Sequence, residues 1–138
     1  MNVLIDTNII LDDIISRMPN AEAARKISQL ITDELVNGFI TANSLTDIFY
    51  IVSKSRGESI ARITVKNLLI NFVVISIDGE DCHKAINLPM RDFEDALIAV
   101  CAEKANLDYI ITNDKEFLKS MDIGIPAVSP VDFLSKLV

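Results

Sequence analysis

The feature that most constrains the fold of this chain is its alternation of short apolar runs with segments of helical periodicity. The runs are typical of buried strands, and they occupy residues 2–5, 39–41, 72–77, 108–112 and 127–129. Strands that alternate with helices favour right-handed crossovers and parallel pairing. The sequence therefore predicts an α/β fold, a three-layer α/β/α sandwich with a central parallel sheet of four or five strands.

The segments between these runs carry apolar residues at helical spacing. They predict longer helices over residues 21–37, 44–55, 58–71 and 91–106, and shorter ones over 80–87, 114–120 and 131–137. We expect Ser44 to be the N-cap of its helix. The almost continuous apolar run at 72–77 predicts a strand that is covered on both faces.

Length and composition favour one domain over residues 1–138. Hydrophobic residues make up 50% of the chain, and no repeat or linker-like stretch divides it. No apolar run reaches the roughly 18 residues that a membrane span requires. Residues 1–11 lack the pattern of a secretory signal. We therefore expect a cytoplasmic protein that makes no membrane contact.

Charge and motif content exclude several classes of function. The net charge of −7 argues against a protein that grips nucleic acid with a broad basic face, although it allows an enzyme with a local site. Cys82 and Cys101 show no metal-binding spacing, and His83 is the only histidine. The four glycines form neither a dinucleotide-binding nor a P-loop motif.

Acidic residues follow or adjoin several of the predicted strands. Asp6 comes directly after the first strand, and Asp114 lies two residues beyond the 108–112 run. Asp47 and Asp95 fall in the predicted first turns of the helices that follow 39–41 and precede 108–112. In open parallel sheets, ligands bind outside the carboxyl ends of the strands. Four acids from four segments can therefore converge at one edge.

Helix capping is the alternative explanation for each acid taken alone. Ser44-x-x-Asp47 and Asp92-x-x-Asp95 have the spacing of a capping pair, and Asp114 precedes a short helix. Capping gives no reason for acids from distant segments to gather, whereas Mg²⁺ and Mn²⁺ require oxygen ligands. Without a cation, clustered carboxylates repel one another. We therefore predict that one or two Mg²⁺ or Mn²⁺ ions bind Asp6, Asp47, Asp95 and Asp114.

Polar residues beside these acids are candidates for a supporting role. Asn8, Asp92, Thr112 and Asn113 could orient waters or carboxylates, and ordinary turn or cap chemistry explains each of them equally well. Candidate phosphate contacts, for each of which a solvated surface position is the alternative, are Arg17, Lys54, Arg56, Arg62, Lys66, Arg91 and Lys115.

Four stretches together resemble the PIN-domain family, over essentially the whole chain. They are "VLIDTNIILD", "TANSLTDIFYIV", "DFEDALIAVCAEKANLDYIITND" and the phenylalanine of "DKEF". The similarity is greatest to small prokaryotic members, which include toxins of VapBC-type toxin–antitoxin pairs. The resemblance implies a metal-dependent ribonuclease whose acids are Asp6, Asp95 and Asp114. The family's second acid is usually glutamate, and Asp47, one methylene shorter, stands at that position.

The resemblance also implies partners and a reaction. RNA would be the substrate, an antitoxin protein an inhibitor, and a homodimer the assembly. In such a reaction a metal-activated water attacks the phosphodiester in line, so that no side-chain nucleophile is needed.

Two other functions remain open from the sequence. Asp6 could be the nucleophile of an aspartyl-phosphate phosphatase, although that class normally has a second aspartate where Asn8 stands. The chain could instead be a catalytically weak or inactive PIN-like module with a binding or regulatory role. Asp47 in place of glutamate is the best support for the second alternative.

Overall fold

Five parallel strands form the centre of the computed structural model, which describes residues 1–120 and 124–137. The elements in chain order are β1 (Asn2–Ile5), α1 (Thr7–Ile14), α2 (Ala21–Thr32), β2 (Asn37–Thr41), α3 (Ala42–Arg56), α4 (Glu58–Asn71), β3 (Phe72–Ile75), α5 (Gly79–Ile86), α6 (Phe93–Lys104), β4 (Tyr109–Ile111), α7 (Lys115–Lys119), β5 (Ala127–Val128) and α8 (Pro130–Lys136). Among these residues, no helix is both long and apolar enough to cross a bilayer.

The strand order places β1 at the centre of the sheet. The order is β3-β2-β1-β4-β5, and each neighbouring pair is parallel. Ile5, the last residue of β1, pairs with Ile111, the last residue of β4. The carboxyl ends of all five strands therefore lie at the same edge, which we call the carboxyl edge.

Alternate residues of β1 pack on opposite sides of the sheet, because successive strand side chains point to opposite faces. Val3 and Ile5 pack into a core with α1, α2, α3, α4 and α8. Leu4 packs on the other side, against residues of α6 and α7 such as Ile98 and Phe117. The predicted three-layer α/β/α sandwich is confirmed, with five strands in the described part of the chain.

Two predicted helix boundaries are wrong. The helix expected to reach residue 37 ends at Thr32, because Asn37 already pairs with Asn2 in the sheet. Ser44 is not an N-cap: α3 begins at Ala42, and the cap position is Thr41. The Ser44 hydroxyl instead bonds two other buried hydroxyls. As a result Asp47 lies in the second turn of α3 and not in its first.

The prediction that the run at 72–77 is covered on both faces is also wrong. β3 ends at Ile75, and Val73 is 54% exposed. The cause is its position at the edge of the sheet, where β2 is its partner. The helix α1 was not predicted. Its buried residues Ile9, Ile10 and Leu11 contribute to the core.

Candidate active site

Asp6 is held rigidly at the carboxyl edge, between β1 and β4. Its backbone N–H donates to the carbonyl of Ile111 at 3.0 Å, which extends the parallel ladder by one residue. The side chain is only 4% exposed. Its Oδ2 accepts a hydrogen bond of 2.8 Å from Oγ1 of Thr112, which is fully buried. The first acid therefore has a fixed position and direction.

Asp114 lies next to this arrangement, at the start of α7. Its N–H donates to Oγ1 of Thr112 at 3.1 Å. Its Oδ1 accepts from the N–H of Phe117 at 2.9 Å, so that Asp114 is the N-cap of α7. The capping alternative holds for this residue, and the same cap anchors the carboxyl group near Asp6.

The beginning of α6 brings two further acids to the same edge. Asp92 is the N-cap of the helix, and its Oδ1 accepts from the N–H of Asp95 at 3.1 Å. Burial, and then the charges of neighbouring acids with Asp6 first among them, together raise the pKa of Asp95 to about 7. Asp95 is therefore within electrostatic reach of the acid that ends β1.

The electrostatics of Asp6 agree with this grouping. Burial raises its pKa, the hydrogen bond from Thr112 opposes that change, and the charges of Asp114 and Asp92 add to the rise. A carboxylate whose pKa is raised by burial and by like charges is one that a cation would stabilise. The structure thus brings together Asp6, Asp95 and Asp114 from three separate elements.

Glu94 also belongs to this group, although its sequence pattern did not indicate it. Its Oε1 lies 3.5 Å from Oγ1 of Thr7. Burial, then a hydrogen bond and a charge interaction with Asp47, raise the pKa of Glu94 to about 7. Asp47, on the α3 side of the edge, is therefore within electrostatic reach of Glu94. The available signal was its position in the first turn of α6, next to Asp95.

The other predicted supporting residues lie around the same edge. Asn8 is in the first turn of α1, where its backbone carbonyl and its Oδ1 accept from Nη2 of Arg17 at 3.1 and 3.3 Å. Asn113 is half-buried and lies in the chain between Thr112, which contacts Asp6, and Asp114. Their supporting role stays a prediction.

The acids fit a divalent cation in donor chemistry and in charge. All are carboxylates, which Mg²⁺ and Mn²⁺ prefer, and three of them have pKa values raised by burial and mutual repulsion. The ion pairs found within the described residues involve other acids. Within residues 1–120 and 124–137, no three acidic, histidine or cysteine side chains already surround one point as ligands.

A cleft of about 420 Å³ opens beside Asp95. Its lining combines apolar surface with two basic side chains and comprises Pro89, Met90, Arg91, Asp92, Asp95, Glu116, Phe117, Lys119 and Ser120. Arg91 is strongly exposed and lies 3.6 Å from a carboxylate oxygen of Glu116. The cleft leads from the surface to the group of acids.

Comparison with known proteins gives consistent matches. The model of the PIN domain family matches residues 2–116. Ribonuclease VapC1 of Aquifex aeolicus (strain VF5) is 26% identical over 128 residues, which are 89% of this chain and 88% of that protein.

Two solved structures illustrate the similarity in fold. One is VapBC2 from Rickettsia felis, bound to a DNA fragment from its promoter, with a TM-score of 0.69 and 20% sequence identity. The match covers 94% of this chain and 98% of the Rickettsia felis chain. Mycobacterium tuberculosis VapC20, a sarcin-ricin loop cleaving toxin, has a TM-score of 0.67 at 12% identity and covers 83% and 92%. At these identities the likeness shows a common fold.

Proposed function

Because the chain belongs to the PIN domain family, we propose that it is a ribonuclease that uses one or two Mg²⁺ or Mn²⁺ ions to hydrolyse RNA phosphodiester bonds. The observation that carries the proposal is the approach of Asp6, Asp95 and Asp114 at the carboxyl edge, from three separate elements. Such a group of like charges is unfavourable without a cation. The name of the Aquifex aeolicus relative, a ribonuclease, supports the choice of reaction.

The side chains of the proposed site have two roles: some would hold the ion, and others fix the position of the acids that hold it. The residues that would hold it are Asp6, Asp47, Asp95 and Asp114. When bound, the ion supplies positive charge that acidifies a water and stabilises charge on the phosphate oxygens. Thr112 fixes the direction of Asp6, and Asp92 fixes the start of the helix that carries Asp95. No side chain of the protein needs to act as a nucleophile.

The cleft beside Asp95 is where we place the RNA strand. Its apolar wall, which includes Pro89 and Met90, suits a nucleobase, and its rim offers Arg91 and Lys119 for phosphate contact. The net charge of −7 means that attraction to RNA must be local. The cleft supplies positive side chains at the point where the strand would reach the acids.

We also propose that the chain is the toxin of a toxin–antitoxin pair and binds an antitoxin protein. The support is that several solved structures with this fold are named as VapBC or toxin–antitoxin complexes. The expected homodimer stays a prediction, which sedimentation of the purified chain would test. Co-expression with the protein encoded next to it, followed by purification of a complex that does not cleave RNA, would test the antitoxin.

Cleavage of a fluorogenic single-stranded RNA by metal-stripped protein, with and without added Mn²⁺, tests the proposed reaction. We expect cleavage with Mn²⁺, none with a chelator, and none for Asp95→Asn. Mn²⁺ binding without cleavage would favour the inactive module. Hydrolysis of a phosphomonoester that depends on Asp6, with RNA left intact, would favour the phosphatase.

A further inference from the structure

Glu94 occupies a place in the group of acids that its position in the helix does not require. It is the second residue of α6, where any acid gains from the free N–H groups and the helix dipole. That gain needs no inward contact, and the cap itself is supplied by Asp92. Yet the Glu94 side chain is half-buried and turns towards α1, with Oε1 3.5 Å from Oγ1 of Thr7.

A chain of buried hydroxyl groups links this contact to α3. Oγ1 of Thr7 lies 2.7 Å from Oγ of Ser44, which lies 2.9 Å from Oγ1 of Thr41. All three residues are at most 5% exposed. The starts of α1 and α3 are therefore fixed relative to each other, and Glu94 contacts the hydroxyl at one end of the chain.

Asp47 follows Ser44 by three residues, so the two lie on the same side of α3. From there the Asp47 carboxyl faces the same region as the Thr7 hydroxyl that Glu94 contacts, and its charge acts on Glu94. The charges of Asp6 and Asp92 also act on Glu94. Glutamate is one methylene longer than aspartate, so its carboxyl group extends further from α6 towards Asp47 than an aspartate at this position would.

We propose that Glu94 is a fifth acidic residue of the site and acts as the partner of Asp47, so that the two carboxylates together serve the divalent cation on the α3 side. This inference rests on the proposed function. It adds a residue from α6 to the acids that sequence alone indicated.

Calorimetric titration of the metal-stripped full chain with Mn²⁺ tests the inference directly. We expect Glu94→Gln to weaken Mn²⁺ binding by about tenfold or more, the range typical of residues that support metal ligands. The matched control is Glu22→Gln, which removes the same charge from the second residue of another helix, α2. It should bind Mn²⁺ as the wild type does.

Thermal unfolding without metal separates this role from a structural one. A helix-end role predicts that Glu94→Gln lowers the metal-free melting temperature and leaves Mn²⁺ affinity unchanged. Our inference predicts that Glu94→Gln raises the metal-free melting temperature, because a crowded charge is removed, and weakens Mn²⁺ binding. Exchanging the chain lengths, with Asp47→Glu and Glu94→Asp in one protein, should restore affinity relative to Glu94→Asp alone. Unchanged affinity in Glu94→Gln would overturn the inference and leave the proposed function intact. Wild-type protein that binds no Mn²⁺ would overturn both.

Discussion

Oγ1 of Thr112 donates a hydrogen bond of 2.8 Å to Oδ2 of Asp6, across the junction of β1 and β4. The same hydroxyl accepts a bond of 3.1 Å from the N–H of Asp114. One buried side chain therefore fixes two acids that are more than a hundred residues apart in sequence. The contact matters to the site because Asp6 is buried, where water cannot replace a lost hydrogen-bond donor.

Replacing Thr112 by valine should damage both stability and activity. Valine keeps the branched shape but leaves the Asp6 carboxylate without its donor, a loss of about 1.5–3 kcal/mol for a hydrogen bond to a charged group. We expect the free energy of unfolding in urea to fall by this amount and RNA cleavage to fall with it. Thr112→Ser retains the hydroxyl and is the control. A valine variant as stable and active as the wild type would show that the contact is dispensable.

The metal-free protein should lose stability as the pH rises. The pKa values of Asp95 and Glu94 go from ordinary values of 3.8 and 4.5 to about 7 in the folded state, so the folded state holds more protons between about pH 4 and pH 7. Stability is therefore greatest below this window and declines through it. Urea unfolding in a chelator at pH 5.5 and pH 8 measures the difference.

Asp95→Asn should reduce this decline and raise the metal-free stability at pH 8. Saturating Mn²⁺ should reduce the decline in the wild type as well, because the ion binds the folded state and replaces the protons. Equal wild-type stability at the two pH values in chelator would contradict the crowding of charges on which the site rests.

An ion pair away from the proposed site provides a test of stability that does not involve the acids of the site. Nζ of Lys104 lies 2.6 Å from Oδ2 of Asp81, whose side chain is 3% exposed, and 2.7 Å from the carbonyl of Ser76. This hydrogen bond lowers the pKa of Asp81. The pair therefore stabilises the fold above the ordinary pKa of 3.8, and the contribution is lost as the pH falls through the lowered value.

Lys104→Met should lower the free energy of unfolding at pH 7 by about 1.5 kcal/mol, the lower end of the range for a charged hydrogen bond, because solvent screens the half-exposed ammonium. RNA cleavage should persist, since Lys104 ends α6 at the opposite end from Asp95. The double variant with Asp81→Asn should recover part of the loss. Loss of cleavage in folded Lys104→Met would mean that the site extends along the whole helix.

Arg91 offers a test of the substrate path. If the cleft receives the RNA strand, Arg91→Ala should raise KM for RNA several-fold and leave Mn²⁺ affinity unchanged, because the side chain lies on the rim of the cleft and pairs with Glu116. Arg25→Ala, which removes an exposed arginine of α2 that pairs with Asp13, is the control and should change neither quantity. An unaltered KM in Arg91→Ala would show that the RNA strand binds elsewhere on the protein.

The architecture was predictable because each strand and most helices carry a local pattern of apolar residues. The position of Asp6 and Asp114 followed from one rule, since parallel strands end at the same edge. Errors arose where long-range pairing overrides local pattern. Asn37 looks like the end of a helix until its pairing with Asn2 is known, and Ser44 looks like a cap until its buried partners are known.

The missed acid shows the same limit at the site. Glu94 and Asp95 are consecutive, and consecutive helical residues point in different directions. No local pattern indicates that α3 lies close enough for Glu94 to meet Asp47. The approach of the start of α6 to the start of α1, where Glu94 contacts Thr7, decides which face of α6 belongs to the site.

The most direct test of the central claim is the anomalous X-ray signal of manganese in crystals of the full chain soaked in Mn²⁺. We predict a peak at the carboxyl edge of the sheet, within coordination distance of Asp6 and of carboxylates from α6 and the start of α7. No peak at that edge under saturating Mn²⁺, or one confined to other surface acids, would contradict the account.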